Sequence, residues 1–191
     1  MKKTLAIILA VLVLAIASVA LAADTKTVQV KANIPSQSTL NLTVSKVIGT
    51  TLSAATAVDF GNLIVDPTYN IFKTADGSYY CVDCGVNSNA SSWTVTHTVT
   101  SMANGANNLD NKINVTFMNQ QTSTTGVQLA KLSYSASNNK VINKTDIATG
   151  GWLRIYYGLA TGSGDATGVV VIPATQASGN YAGVVTLTLA P

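Results

Sequence analysis

The sequence contains no glutamate and a single histidine, His97, and its acidic residues are eight aspartates. Acid–base catalysis needs titratable groups that work together, and a serine hydrolase needs a nucleophile, a histidine and a carboxylate close in space. Most of the aspartates lie in turn-like segments, where Asp commonly bonds its own backbone. No catalytic set can be assembled from these residues, so we predict that the protein is not an enzyme.

Charged residues are also scarce, at 10% of the chain, and their signs nearly balance. Without Lys2 and Lys3, nine basic residues remain against eight acidic ones. Nucleic-acid-binding proteins usually carry a basic patch or stripe, which this balance does not provide. We therefore predict no nucleic-acid partner, and no residue pattern indicates a cofactor, a metal site or a small-molecule substrate.

The N-terminus combines a basic start with an apolar stretch. Lys2 and Lys3 precede an uncharged run that ends near the small residues Ala20-Leu21-Ala22. This arrangement is typical of a cleaved secretory signal peptide, although the run is also long enough for an uncleaved anchor. We predict a signal peptide over residues 1–22 and a secreted mature chain of about 170 residues, enough for one domain.

The mature chain favours β-structure, because helix formers other than Ala are scarce while Val, Thr, Ile and Tyr are frequent. Alternation is clearest in Trp93–Thr100, where apolar residues and threonines occupy opposite faces. Many short strands separated by turn residues indicate an all-β, antiparallel sandwich or barrel. Further predicted strands are Leu40–Val44, Val58–Val65, Tyr69–Phe72, Tyr79–Val82, Ile113–Met118, Val127–Tyr134, Trp152–Tyr157, Gly168–Ile172 and Tyr181–Leu189.

The first predicted strand, Thr27–Ile34, is apolar on one face only, because successive side chains of a strand alternate in direction. Pro35 follows it and cannot donate a hydrogen bond inside a sheet. Such a strand either completes its own domain or is donated to a neighbour, and alternation alone does not separate the two. The residues of its apolar face are Val28, Val30, Ala32 and Ile34.

Three stretches carry a family resemblance: VQVKANI followed by TLNLTV, then AVDFGNL, and finally WLRIYYGLAT continuing to VIPATQASGNYAGVVTLTLAP. They resemble the secreted Ig-like subunits of the spore coat protein U family and the archaic chaperone–usher pilins. The last stretch is the most specific, because its Tyr-Gly strand end, proline-containing loop and Gly-x-Tyr-x-x-x-Val-x-Leu-x-Leu ending follow the family's order. The resemblance leaves roughly Thr68–Tyr134 unmatched.

The resemblance implies an Ig-like β-sandwich over residues 36–191 that lacks one strand. Residues 23–35 would then be an N-terminal extension that fills the groove of the next subunit through Val28, Val30, Ala32 and Ile34. The expected partners are copies of the chain itself, with a periplasmic chaperone and an outer-membrane usher, in a cell-surface filament. The alternative is a secreted binding module with a complete fold, such as an adhesin or a carbohydrate-binding domain.

The two cysteines, Cys81 and Cys84, have the spacing of a redox motif but lack its βαβ context. In an oxidising compartment we predict a structural disulfide between them that ties a loop. Free or intersubunit thiols are the alternative, followed by redox or metal roles. His97 shares a face with Trp93, Val95 and Val99, which predicts a boundary or core histidine with a satisfied ring N–H rather than a catalyst.

The aromatic residues allow three interpretations. Tyrosine combines a large apolar area with a polar hydroxyl, so it serves equally in cores, in subunit interfaces and in stacking on sugars. Core packing is the default, and the other two roles stay open. The residues concerned are Tyr69, Phe72, Tyr79, Tyr80, Tyr156 and Tyr157.

Overall fold

The computed structural model describes residues 28–122 and 124–191. The predicted signal peptide, residues 1–22, and Thr27 lie outside the described residues. The chain divides into two units at the boundary between Pro35 and Ser36. Residues 28–35 of the first unit belong to no strand. The second unit, Ser36–Pro191, contains every strand of the described residues.

The strands of this unit are numbered here in chain order. They are β1 (Ser38–Ile48), β2 (Thr51–Ala55), β3 (Leu63–Asp66), β4 (Ile71–Thr74), β5 (Tyr79–Ser88), β6 (Thr94–Val99), β7 (Ala103–Asn104), β8 (Asn107–Asn108), β9 (Ile113–Gln120), β10 (Gly126–Ser133), β11 (Lys140–Asn143), β12 (Trp152–Leu159) and β13 (Val185–Ala190). A three-residue 3-10 turn, Lys144–Asp146, is the only helical segment among the described residues. Within residues 28–122 and 124–191, no helix has the length and hydrophobicity to cross a membrane.

Two sheets dominate the unit, and all their pairings are antiparallel. The larger has the order β10-β9-β12-β5-β1-β2, and the smaller has the order β11-β6-β13. The short pairs β3-β4 and β7-β8 form separate hairpins. The prediction of an all-β, antiparallel sandwich is confirmed.

The core lies between the two sheets and follows from the alternation of each strand. Val82, Phe117 and Ile155 enter it from the six-stranded sheet, and Val95 and Ile142 enter it from the three-stranded sheet. All five are at most 7% exposed. Burying each such side chain stabilises the fold by roughly 1.5–3 kcal/mol, so this layer supplies much of the driving force for folding.

Several sequence predictions of strands are confirmed, although most strands extend further than their alternation suggested. The confirmed strands are β1, β5, β6, β9, β10 and β12, together with the C-terminal half of Tyr181–Leu189, which forms β13. The structure adds β2, β11 and the two-residue strands β7 and β8, which the sequence did not predict. All four are short, and their alternation is too brief to stand out.

Five predicted strands are wrong in part or entirely. Residues 28–34 form no strand, the first half of Tyr181–Leu189 precedes β13, and local turns explain the other three. In Val58–Val65, the Asp59 carboxylate accepts a hydrogen bond from the Gly61 N–H at 2.8 Å, and Gly61 has a φ of 62°, so a strand begins only at Leu63. The first half of Tyr69–Phe72 is a turn, because Asn70 has a φ of 55°. Gly168–Ile172 forms no strand: Gly168 has a φ of 80°.

Candidate functional site

The three-stranded sheet ends in an open edge at β13. One side of β13 pairs with β6, where Leu187 lies opposite His97 and Leu189 lies opposite Val95. The other side has no partner strand among the described residues. In an antiparallel strand, every second residue directs its N–H and C=O groups away from a given neighbour. These groups form a row of unpaired donors and acceptors that can hold one more strand.

Strand β1 of the opposite sheet lies close to this edge, with Cα atoms of β1 and β13 within 8 Å of each other. Leu40, Leu42 and Val44 of β1 pair with Val86, Cys84 and Val82 of β5, so they share the core-facing side of the larger sheet. The core covers Leu40 and Val44 only in part. Leu42, between them, is 51% exposed. A leucine on the inner face of a sandwich is thus left in solvent.

The two strands together define an apolar groove at one edge of the sandwich. Its side chains on β13 are only half-buried although they contact the core. The middle of the sandwich differs, because Phe117 and Ile155 there are completely buried. We call this feature the edge groove; it consists of Leu40, Leu42, Val44, Val185, Leu187 and Leu189.

The predicted donor residues lie in the other unit and are strongly exposed. Val28, Val30 and Ile34 are 86%, 92% and 80% exposed, and Ala32 is also exposed. None of them belongs to a strand. Exposed valine and isoleucine at every second position form an apolar stripe of the kind that marks an interaction site.

The predicted disulfide between Cys81 and Cys84 is absent, which corrects the sequence interpretation. Both cysteines are free, and both lie within β5 rather than in a loop. Residues three apart in a strand point to opposite faces, and their Cα atoms are about 10 Å apart, beyond the roughly 7 Å that a disulfide tolerates. Cys84 points into the core beside Val82, and Cys81 lies on the other face of the sheet.

Burial also makes the two thiols unreactive. Cys81 is 0% exposed and Cys84 is 1% exposed. Burial raises the pKa of Cys81 and raises that of Cys84 to about 12. Because the thiolate is the reactive form, these residues suit neither redox chemistry nor metal binding near neutral pH.

His97 lies in the core, as predicted, at 2% exposure. Its Nε2 is 3.0 Å from the Tyr157 hydroxyl oxygen, and its ring meets the Phe117 ring edge-on with centroids 5.1 Å apart. The Nδ1 atom has no hydrogen-bond partner among the described residues. Burial lowers the pKa of His97 to about 4, so the ring is neutral at physiological pH. A neutral imidazole held in the core between Tyr157 and Phe117 serves packing.

A part-buried ion pair on the outer face of the larger sheet was not predicted. Arg154 on β12 lies directly opposite Asp83 on β5. The Arg154 Nε and Nη2 atoms donate to the two Asp83 carboxylate oxygens at 2.6 and 2.8 Å, and the Trp152 Nε1 donates to the same carboxylate at 3.0 Å. The hydrogen bonds to Asp83 raise the pKa of Arg154. This bidentate pair ties two central strands together.

No cluster of three or more His, Cys, Asp or Glu side chains that would hold a metal exists among residues 28–122 and 124–191.

The sequence did reveal the alternation in both strands that form the edge groove. It gave no sign that these two strands meet at an uncovered edge, because that depends on which strands pair.

No family model, curated protein or solved structure matches the chain.

Proposed function

We propose that the protein is a structural subunit of an extracellular fibre or coat, which polymerises when the N-terminal segment of one copy completes the sandwich of the next. The observation that carries this proposal is the exposed Leu42 beside the open edge of β13. Strand addition at such an edge gains main-chain hydrogen bonds along the edge and buries alternate side chains in the groove. The donated strand would add a fourth strand to the smaller sheet.

The dimensions of donor and groove agree. Residues 28–34 span about 20 Å when fully extended, and the six residues of β13 span about 17 Å. The apolar donor side chains recur at every second residue, which is also the spacing of Val185, Leu187 and Leu189. One extended segment can therefore place an apolar side chain opposite each apolar position of the edge.

The polar face of the donor supports the same arrangement. With its apolar face in the groove, the segment would direct Gln29, Lys31 and Asn33 toward solvent, because successive residues alternate. The neighbouring outward positions on β13, Thr186 and Thr188, are exposed and uncharged. A single lysine among neutral groups creates no like-charge repulsion across the new strand pair.

An uncovered groove is a hazard before assembly, since open strand edges and exposed apolar side chains promote aggregation. A periplasmic chaperone that lends a strand, and an outer-membrane usher that exchanges it, would meet this need during secretion to a cell-surface filament. These partners follow from the family resemblance and from the groove together.

The test is an unheated denaturing gel of the secreted protein. We expect a ladder of oligomers that collapses to monomer on boiling, because strand-complemented assemblies resist detergent. Deleting Thr25–Ile34 should abolish the ladder, and so should Leu42→Arg, which places a charge in the groove. Val127→Arg is the matched control, because Val127 is 66% exposed on β10 at the opposite edge of the same sheet.

A ladder that survives both the deletion and Leu42→Arg would contradict strand donation. A single monomer band from the intact protein would favour the alternative, a secreted binding module with a complete fold. In that case the deletion should destabilise the monomer itself.

A further inference from the structure

A second surface of the sandwich carries an open cleft of about 450 Å³. It lies between the turn that joins β3 to β4 and the loop that follows β12. The cleft is shallow and open to solvent, and its walls expose both apolar and polar groups. The lining residues are Tyr69, Ile71, Thr161, Gly162, Ser163 and Val171.

Tyr69 forms one wall and is the only exposed aromatic residue in residues 28–122 and 124–191, at 74% exposure. Its turn is held independently of the ring. The Asp66 carboxylate accepts from the Thr68 N–H at 2.9 Å and from the Lys73 Nζ at 2.7 Å, and the Asp66 carbonyl accepts from the Asn70 N–H at 2.8 Å. The fold therefore presents a tyrosine ring to solvent on a fixed turn, and the ring contributes little to the core.

The opposite wall is a loop that is fixed by its own hydrogen bonds. The Asp165 carboxylate accepts from the Thr161 and Gly162 N–H groups at 3.0 and 2.7 Å, and from the Asn114 side chain at 2.7 Å. These bonds use the only carboxylate of the loop to shape it. Gly162 has a φ of 82° and no side chain, so the cleft stays open at this position.

The chemistry of the cleft matches one ligand class. Ile71 and Val171 supply apolar surface, and Ser163 supplies a hydroxyl group at the rim. The Thr161 hydroxyl, also at the rim, donates to the Ser163 carbonyl at 3.0 Å and so helps to hold the loop. No charged side chain is among the lining residues. The Lys131 Nζ donates a hydrogen bond to the Gly164 carbonyl of the same loop, beside Asp165, so a phosphate, a sulfate or an acidic sugar would compete with that carboxylate for the charge. A neutral pyranose has an apolar C–H face suited to an aromatic ring and hydroxyl groups suited to the rim.

From this geometry we infer that the Tyr69 cleft binds a neutral saccharide. The inference is independent of strand donation, because it uses neither the edge groove nor the N-terminal segment. The protein would then hold a glycan on the surface of each subunit, whether or not the subunits polymerise.

The test is saturation-transfer NMR of the secreted protein with cellotetraose, mannotetraose and chitotetraose, and with sialyllactose as an acidic probe. At least one neutral probe should bind, with transfer strongest at the ring protons of one sugar. Tyr69→Ala should weaken that binding about tenfold, and Tyr69→Phe should stay within about threefold of the parent, because the ring and not the hydroxyl supplies stacking. Val141→Ala, an exposed apolar position on β11, should leave binding unchanged.

Three results would overturn the inference. They are binding of none of the neutral probes, binding of the acidic probe alone, and neutral binding that Tyr69→Ala leaves intact. If no saccharide binds the parent and sedimentation shows that Tyr69→Ala no longer self-associates, the cleft is a contact between copies instead. Thermal melts of each variant establish that the turn has kept its fold.

Discussion

Replacing Ile34 by alanine tests whether the N-terminal segment stabilises its own domain or the assembly. Ile34 is 80% exposed, so its side chain contributes little to the unfolding free energy of a single copy. In the groove of a neighbour it would be buried, and Ile34→Ala would remove three carbon groups from that contact. At about 0.8 kcal/mol per group the loss is about 2.4 kcal/mol, or about sixtyfold in the dissociation constant of each strand contact.

Two measurements on the same variant separate the possibilities. In the first, samples are warmed to increasing temperatures before electrophoresis, and the oligomer ladder of Ile34→Ala should disappear at a lower temperature than that of the parent. In the second, the urea midpoint of the monomer should stay at the parent value. Asn33→Ala, on the polar face of the same segment, should change neither. A variant that lowers the unfolding free energy of the monomer by about 2 kcal/mol, as a core substitution does, would refute the donor assignment. So would a ladder that is unaffected.

Three further predictions follow from the buried groups. Because burial lowers the pKa of His97 to about 4, only the unfolded chain takes up its proton between pH 6.5 and 4, so the unfolding free energy should fall by about 3 kcal/mol across that range. Urea melts should show this loss in the parent and not in His97→Gln. Arg154→Met should destabilise by about 2 kcal/mol, because the part-exposed Asp83 carboxylate loses its cation and keeps the hydrogen bond from Trp152. Arg154→Met with Asp83→Asn should recover most of that loss; equal losses would contradict the pairing. Cys81 and Cys84 should both resist iodoacetamide in the native protein and both react in denaturant; an intact mass two hydrogens short would show a disulfide instead.

The sequence predicted those strands whose alternation is long and uninterrupted. In β6, threonines alternate with Val95, His97 and Val99, and the structure buries those three while leaving the threonines half-exposed. The same reasoning placed His97 either in the core or at its boundary, and the structure shows it in the core. Alternation succeeds here because a two-sheet core requires one apolar face from every central strand.

Predictions failed where a single residue turns the backbone. Gly61 and Asn70 both adopt positive φ values, and each breaks an apolar run that otherwise reads as a strand. The cysteine prediction failed for a related reason. A spacing of three suggests a local disulfide in a loop, but the segment continues as an extended strand, and that geometry separates Cys81 from Cys84.

The ion pair and the edge groove could not be predicted, because both depend on strand pairing. Arg154 and Asp83 are 71 residues apart in sequence, and only the register of β12 on β5 brings them together.

Leu42 has the same place in its strand's alternation as Leu40, yet it is the more exposed of the two. Alternation assigns a side chain to a face, whereas the number of strands in the opposite sheet decides whether that face is covered. A three-stranded sheet facing a six-stranded one leaves part of the larger sheet's inner face uncovered. For that reason the edge groove, and not the apolar pattern of residues 28–34 taken alone, is the stronger argument for a donated strand.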